Sequence, residues 1–88
     1  TVVTDKSGKL WINSTGNPGM AKGGMGDALT GIIGALLAQG MPALEAARAG
    51  VFAHGLAGDF AVEKHSEPAM SATDLIESLG AAWHSLAT

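Results

Sequence analysis

The segment GNPGMAKGGMGDALTGIIGALLAQG, residues 16–40, constrains this chain more than any other. Glycines crowd its first half around Pro18, a single acid follows at Asp27, and the sequence then turns apolar. Ordering a glycine sacrifices more backbone entropy than ordering any other residue, so a plain surface turn gains nothing from such a run. The pattern calls for a backbone that something approaches closely, leading directly into a helix.

The apolar part has helical spacing. Leu29, Ile32, Ile33, Leu36 and Leu37 recur at three- and four-residue intervals, which predicts a first helix from about Asp27 to Gln39, ended by Gly40 in a left-handed conformation. Gly31 and Gly34 weaken that helix, so a close neighbour is expected on their face. Pro42 suits a first helical turn, and a second helix is expected to about Lys64. Its Ala46, Ala47, Ala49, Gly50, Ala53 and Gly58 give it a thin, closely packable profile. His65-Ser66-Glu67-Pro68 breaks it. Ser71-Ala72-Thr73-Asp74 resembles a capping box for a third helix, with Leu75, Ile76, Leu79, Trp83 and Leu86 on its apolar side. Upstream, Thr1–Thr4 and Lys9–Ile12 favour strands, and Asp5-Lys6-Ser7-Gly8 between them reads as a hairpin turn.

The expected order is therefore hairpin, glycine-rich loop, three helices: an α/β arrangement. A two-stranded hairpin is marginal by itself. The chain also opens on Thr1-Val2-Val3 without a methionine, so residues 1–88 are expected to be the C-terminal portion of one larger domain. Composition narrows the function. With 88 residues, 47% hydrophobic and a net charge of −3, the chain has a globular composition, and its five basic residues argue against nucleic acid as partner. It has no cysteine, hence no disulfide or thiolate metal site. The apolar run Ala28–Ala38 is too short to span a bilayer, and with no signal peptide the expected location is the cytoplasm.

At the start of the first helix the leading N–H groups lack intrahelical partners, and the aligned peptide dipoles favour negative charge there. Gly23, Gly24 and Gly26 remove the Cβ atoms that would hold a bulky anion away. The bland alternative is a flexible turn feeding a helix whose N-cap is Asp27. The loop is neither a Walker A loop nor a GxGxxG fingerprint. A carboxylate beside an anion hole instead suits proton removal from a hydroxyl as that oxygen attacks phosphorus, with the amides stabilising the transferred phosphoryl group.

The same 25 residues, together with AHGLAGD at 53–59 and SATDLIESL at 71–79, resemble the ribokinase-like ADP/ATP-dependent NAD(P)H-hydrate dehydratases over essentially the whole chain. That resemblance implies the C-terminal portion of a ribokinase-like fold. It also implies nucleotide-driven dehydration of NADHX and NADPHX to NADH and NADPH. It gives Asp27 the role of base and, with Asn17, of substrate contact. Gly23, Gly24 and Gly26 fall to the nucleotide, and Thr1 matches the last residue of a Lys-Gly-x-Gly-Thr nucleotide-binding segment. Lys22 departs from the small Ser or Thr usual there; a phosphate contact or a solvated lysine are its two readings. ADP or ATP is the implied co-substrate, with Mg2+ accompanying its phosphates, and both self-association and fusion to an epimerase domain are further implications. A ribokinase-like small-molecule kinase and a non-catalytic nucleotide-binding fragment are the rival readings.

The remaining polar and aromatic residues have structural readings. His54 is expected to be packed or hydrogen-bonded rather than to line the nucleotide pocket. His65 and His84 fit no ligand spacing, so no protein metal site is expected. Asp59 is taken as a helix-surface acid, Asp74 as a capping acid, Met20 and Met25 as packing around the loop, and Trp11 and Trp83 as core anchors.

Overall fold

The computed structural model describes residues 1–87. It is a small α/β arrangement of a two-stranded hairpin followed by three helices. Strands β1 (Val2–Thr4) and β2 (Leu10–Ile12) pair antiparallel with Val3 opposite Trp11. Asp5 closes the turn between them: its carboxylate accepts from the Ser7 and Lys9 amides at 2.9 and 3.3 Å. The Ser7 hydroxyl, which also donates to this carboxylate, does most to hold it below its ordinary pKa, and the amide bonds add to the effect.

A single 3-10 turn, Pro18–Met20, leads towards α1 (Met25–Ala38). This helix begins two residues before the expected Asp27. Gly24 takes the N-cap position with φ 86°, a left-handed conformation that glycine adopts without penalty, so Asp27 is the third helical residue and not the cap. At the other end Gly40 has φ 91°, its N–H bonds to the Leu37 carbonyl, and the Met41 N–H reaches back to Leu36. This Schellman closure satisfies carbonyls the helix leaves open. The close neighbour expected on the Gly31–Gly34 face is missing among the described residues: a Cβ at either position would meet open space, because both glycines face outward.

Helix α2 (Ala43–His65) follows Pro42, which stands at its N-cap. It is sandwiched between α1 and α3 (Ala72–Ala87). Ala46, Ala53, Ala57 and Ala61 have no exposed surface, and a Cβ on Gly50 would lie 2.6 Å from Ile33 Cγ1. These buried small residues of α2 thus face its own neighbours in the chain. The core gathers Met25, Ala57, Ala61, Met70, Leu75 and Ala82; burying Met70 and Leu75 is worth roughly 1.5–3 kcal/mol each.

The expected capping box forms. Asp74 accepts from the Ser71 N–H at 2.8 Å and the Ser71 hydroxyl at 3.0 Å, while the Asp74 N–H donates back to that hydroxyl at 3.3 Å. The Ser71 N–H and hydroxyl bonds to the carboxylate lower the Asp74 pKa, and His65, 3.5 Å away, adds a smaller effect in the same direction. On the apolar side of α3, Leu75 is buried, Ile76 is 55% exposed and Trp83 is 42% exposed, so Trp83 is no core anchor. The Leu86 side chain lies outside the described residues. Trp11 is half-buried, its ring covered by the Arg48 guanidinium 4.8 Å from the centroid. Among the described residues no helix is long and apolar enough to cross a membrane.

Candidate active site

The loop between β2 and α1 is bound to α2 by side chains at both ends. Near its start, Asn13 Nδ2 donates to the Thr15 carbonyl, the Thr15 hydroxyl and the Val51 carbonyl. The Thr15 hydroxyl in turn donates to the Phe52 carbonyl at 3.0 Å. Gly55 makes this approach feasible: a Cβ there would stand 2.2 Å from Thr15 Oγ1 and 2.8 Å from the Thr15 backbone carbon. Further along, Asp59 accepts from the Gly16 N–H at 3.1 Å and from Asn17 Nδ2 at 2.9 Å. Asn17 Oδ1 accepts from the Gly19 N–H at 3.0 Å and so caps the 3-10 turn. Asp59 is thus the anchor of the loop and not the surface acid its helical position suggested.

Lys22 fits neither sequence reading. Its ammonium donates to the carbonyls of Glu67 at 2.6 Å and Pro68 at 3.0 Å, and to that of Met70. All three ammonium donors are thereby used, so the side chain is neither solvated nor free for a phosphate.

The chain then reaches the mouth of α1. Gly24 at the N-cap supplies no side-chain oxygen, so nothing caps the amides of the first turn from the side. A Cβ on Gly23 or Gly26 would find nothing within 4 Å. Asp27 is exposed beside them, and its carboxylate has no hydrogen bond or ion pair among the described residues. An uncapped helix mouth with open space and an unengaged carboxylate can receive an anion and accept a proton.

Thr1 and Asn17 lie elsewhere, in the lining of a cavity of about 300 Å³ that also includes Asn13, Leu29 and His54. Asp27, Gly23, Gly24 and Gly26 do not line it. His54 links the two places: buried on α2, its Nε2 lies 2.9 Å from the carbonyl of Met25, the first residue of α1. Facing a carbonyl, that nitrogen must carry the proton. Burial pushes the His54 pKa below the ordinary histidine value, with the Met25 bond opposing more weakly. His54 is hydrogen-bonded, as expected, and also lines a cavity. A larger groove of about 670 Å³ between the hairpin and α2, walled by Trp11, Ile12, Arg48, Phe52 and Trp83, holds none of the expected site residues. Among the described residues no three His, Asp or Glu side chains gather as metal ligands would.

The roles of Asp59 and Lys22 escaped sequence reasoning because each joins residues more than 40 positions apart, beyond any local pattern. The AHGLAGD segment ending at Asp59 was the one available signal.

A family of carbohydrate-kinase type, described as NAD(P)H-hydrate dehydratase, matches residues 1–80. The bifunctional NAD(P)H-hydrate repair enzyme Nnr of Coxiella burnetii is 49% identical over 79 residues, covering 90% of this chain and 16% of the relative. The enzyme of the same name from Thermofilum pendens is 44% identical over 86 residues, covering 98% of this chain and 16% of the relative. The ADP-dependent (S)-NAD(P)H-hydrate dehydratase of Neisseria meningitidis is 51% identical over 59 residues, covering 67% and 20%. The chain thus spans a fifth or less of the length of these relatives. No solved structure matches it significantly. The match over residues 1–80, with identities of 44–51% to these relatives, shows that the chain belongs to the NAD(P)H-hydrate dehydratase family.

Proposed function

We propose that the protein carrying this chain dehydrates NADHX and NADPHX to NADH and NADPH at the expense of ADP or ATP. In this reading residues 1–88 form the C-terminal portion of its ribokinase-like dehydratase domain. The observation that carries the proposal is the unengaged Asp27 carboxylate at an uncapped helix mouth with open space around Gly23 and Gly26. The name of the Neisseria relative favours ADP over ATP, and Mg2+ would accompany the nucleotide's phosphates. The bifunctional names of the other relatives support a second activity on the same polypeptide, read here as an epimerase domain.

Asp27 accepts the proton of the hydrate's hydroxyl as that oxygen bonds to the nucleotide's terminal phosphorus. The phosphorus–oxygen bond to the departing nucleotide breaks in the same step. Amides at the start of α1, with Gly23 and Gly24 beside them, hold the phosphoryl oxygens as charge develops on them. The carbon–oxygen bond then breaks, phosphate leaves with the electron pair, and loss of a ring proton restores the dihydronicotinamide. Thr1 contacts the nucleotide, and Asn17, held by Asp59, keeps the loop shaped for the substrate.

The test is to incubate the full-length protein with NADHX and ADP and follow recovery of dihydronicotinamide absorbance. Recovery is expected, and Asp27→Asn should lower its rate at least about 100-fold while nucleotide still binds. Phosphorylation of an alcohol without recovery of absorbance would favour the kinase reading. Nucleotide binding without any turnover would favour a binding module.

A further inference from the structure

Lys22 stands where its backbone controls the helix mouth. Its N–H donates to the Met20 carbonyl at 2.9 Å, and its own carbonyl accepts from Met25, the first residue of α1, at 3.4 Å. Two residues further on, Gly24 provides the N-cap. The Lys22 side chain runs the other way, to three carbonyls of the connection between α2 and α3. That connection is strained. Ser66 has φ 69° and ψ 160°, a region otherwise left to glycine, costing about 1–3 kcal/mol and kept only where surrounding contacts impose it. The loop also lies directly on this connection: Cβ atoms built on Gly19 and Gly24 would approach Glu67 Cα to 3.0 Å and Ala72 Cβ to 3.1 Å.

We propose that Lys22 is the positioning residue of the anion-binding loop, its ammonium acting as an internal cation that joins the loop to the 66–70 turn and so fixes the amides at the start of α1. With its three donors consumed, Lys22 cannot touch the bound phosphates and acts only through the loop. The phosphate-bearing nature of the ligand rests on the dehydratase reading above. The attachment of the loop does not.

The test uses the full-length protein. In Lys22→Met, which keeps most of the aliphatic stem, amide hydrogen exchange should quicken at residues 19–26 and 66–71 and stay unchanged in the α2 core. ADP should bind at least about tenfold more weakly, the scale of losing hydrogen bonds to a charged group. In Lys22→Ala, methylammonium should restore slow exchange and ADP affinity, whereas tetramethylammonium, which has no N–H to donate, should restore neither. Unchanged exchange and affinity in Lys22→Met would overturn the proposal. So would faster exchange throughout the chain, or methylammonium doing no better than tetramethylammonium. If the unaltered protein binds no ADP, the dehydratase reading fails, and the exchange measurements still decide the role of Lys22.

Discussion

At the scale of single residues, the helix mouth separates what the fold requires from what a ligand would require. Gly24 is needed by the backbone, since a side chain at its φ of 86° would be strained. Gly26 is different: nothing in the chain occupies the space a side chain would take there. Gly26→Val should therefore leave the thermal midpoint close to that of the unaltered protein, as valine is no worse than glycine inside a helix. It should still weaken ADP binding at least about tenfold, because two methyl groups would cover the amides that receive phosphate. Calorimetric titration beside a melting curve reads both quantities, and unchanged affinity would remove Gly26 from the site.

At the scale of elements, the glycines of α1 and α2 are opposites. Gly34 on α1 faces open space, so Gly34→Ala should stabilise the chain by about 0.5–1 kcal/mol through helix propensity. Gly55 on α2 lies against the backbone of Thr15, and Gly55→Ala should destabilise it by roughly 1–3 kcal/mol, since a fixed strand exit cannot give way as a flexible side chain can. Denaturant titration of the two variants distinguishes them by sign. The elements themselves were legible because their signals are local: period-3.6 apolar spacing in α1, the Ser71–Asp74 box before α3, and Gly40 beyond α1. The start of α1 was misplaced because Asp27 is a plausible cap in sequence, and only the left-handed Gly24 reveals where the helix begins. Trp83 was misjudged for a related reason. Its spacing marks a helical side, but burial depends on what lies opposite, and no local pattern records that.

At the scale of the whole molecule, His54 ties global stability to pH. Its folded pKa lies below the ordinary value of 6.5, so unfolding takes up a proton when the pH lies between the two. Its contribution is therefore fully present above pH 6.5 and declines as pH falls below that value towards the lowered one. Equilibrium unfolding across this range should show stability falling with acidity, and His54→Gln should flatten the slope; an unchanged slope would assign the titration to another group. The molecule-wide ties of the candidate site, Asp59 to Asn17 and His54 to Met25, were invisible in sequence because each couples α2 to positions far earlier in the chain. The close seats of Gly50 against Ile33, Gly55 against Thr15 and Gly58 against Met20 carry one further consequence. Mutational tolerance along α2 should come in couples at two of them: in a randomised library, a larger residue at Gly50 or Gly58 should survive mainly alongside a smaller one at Ile33 or Met20, whereas Gly55, set against the Thr15 backbone, should accept no such partner.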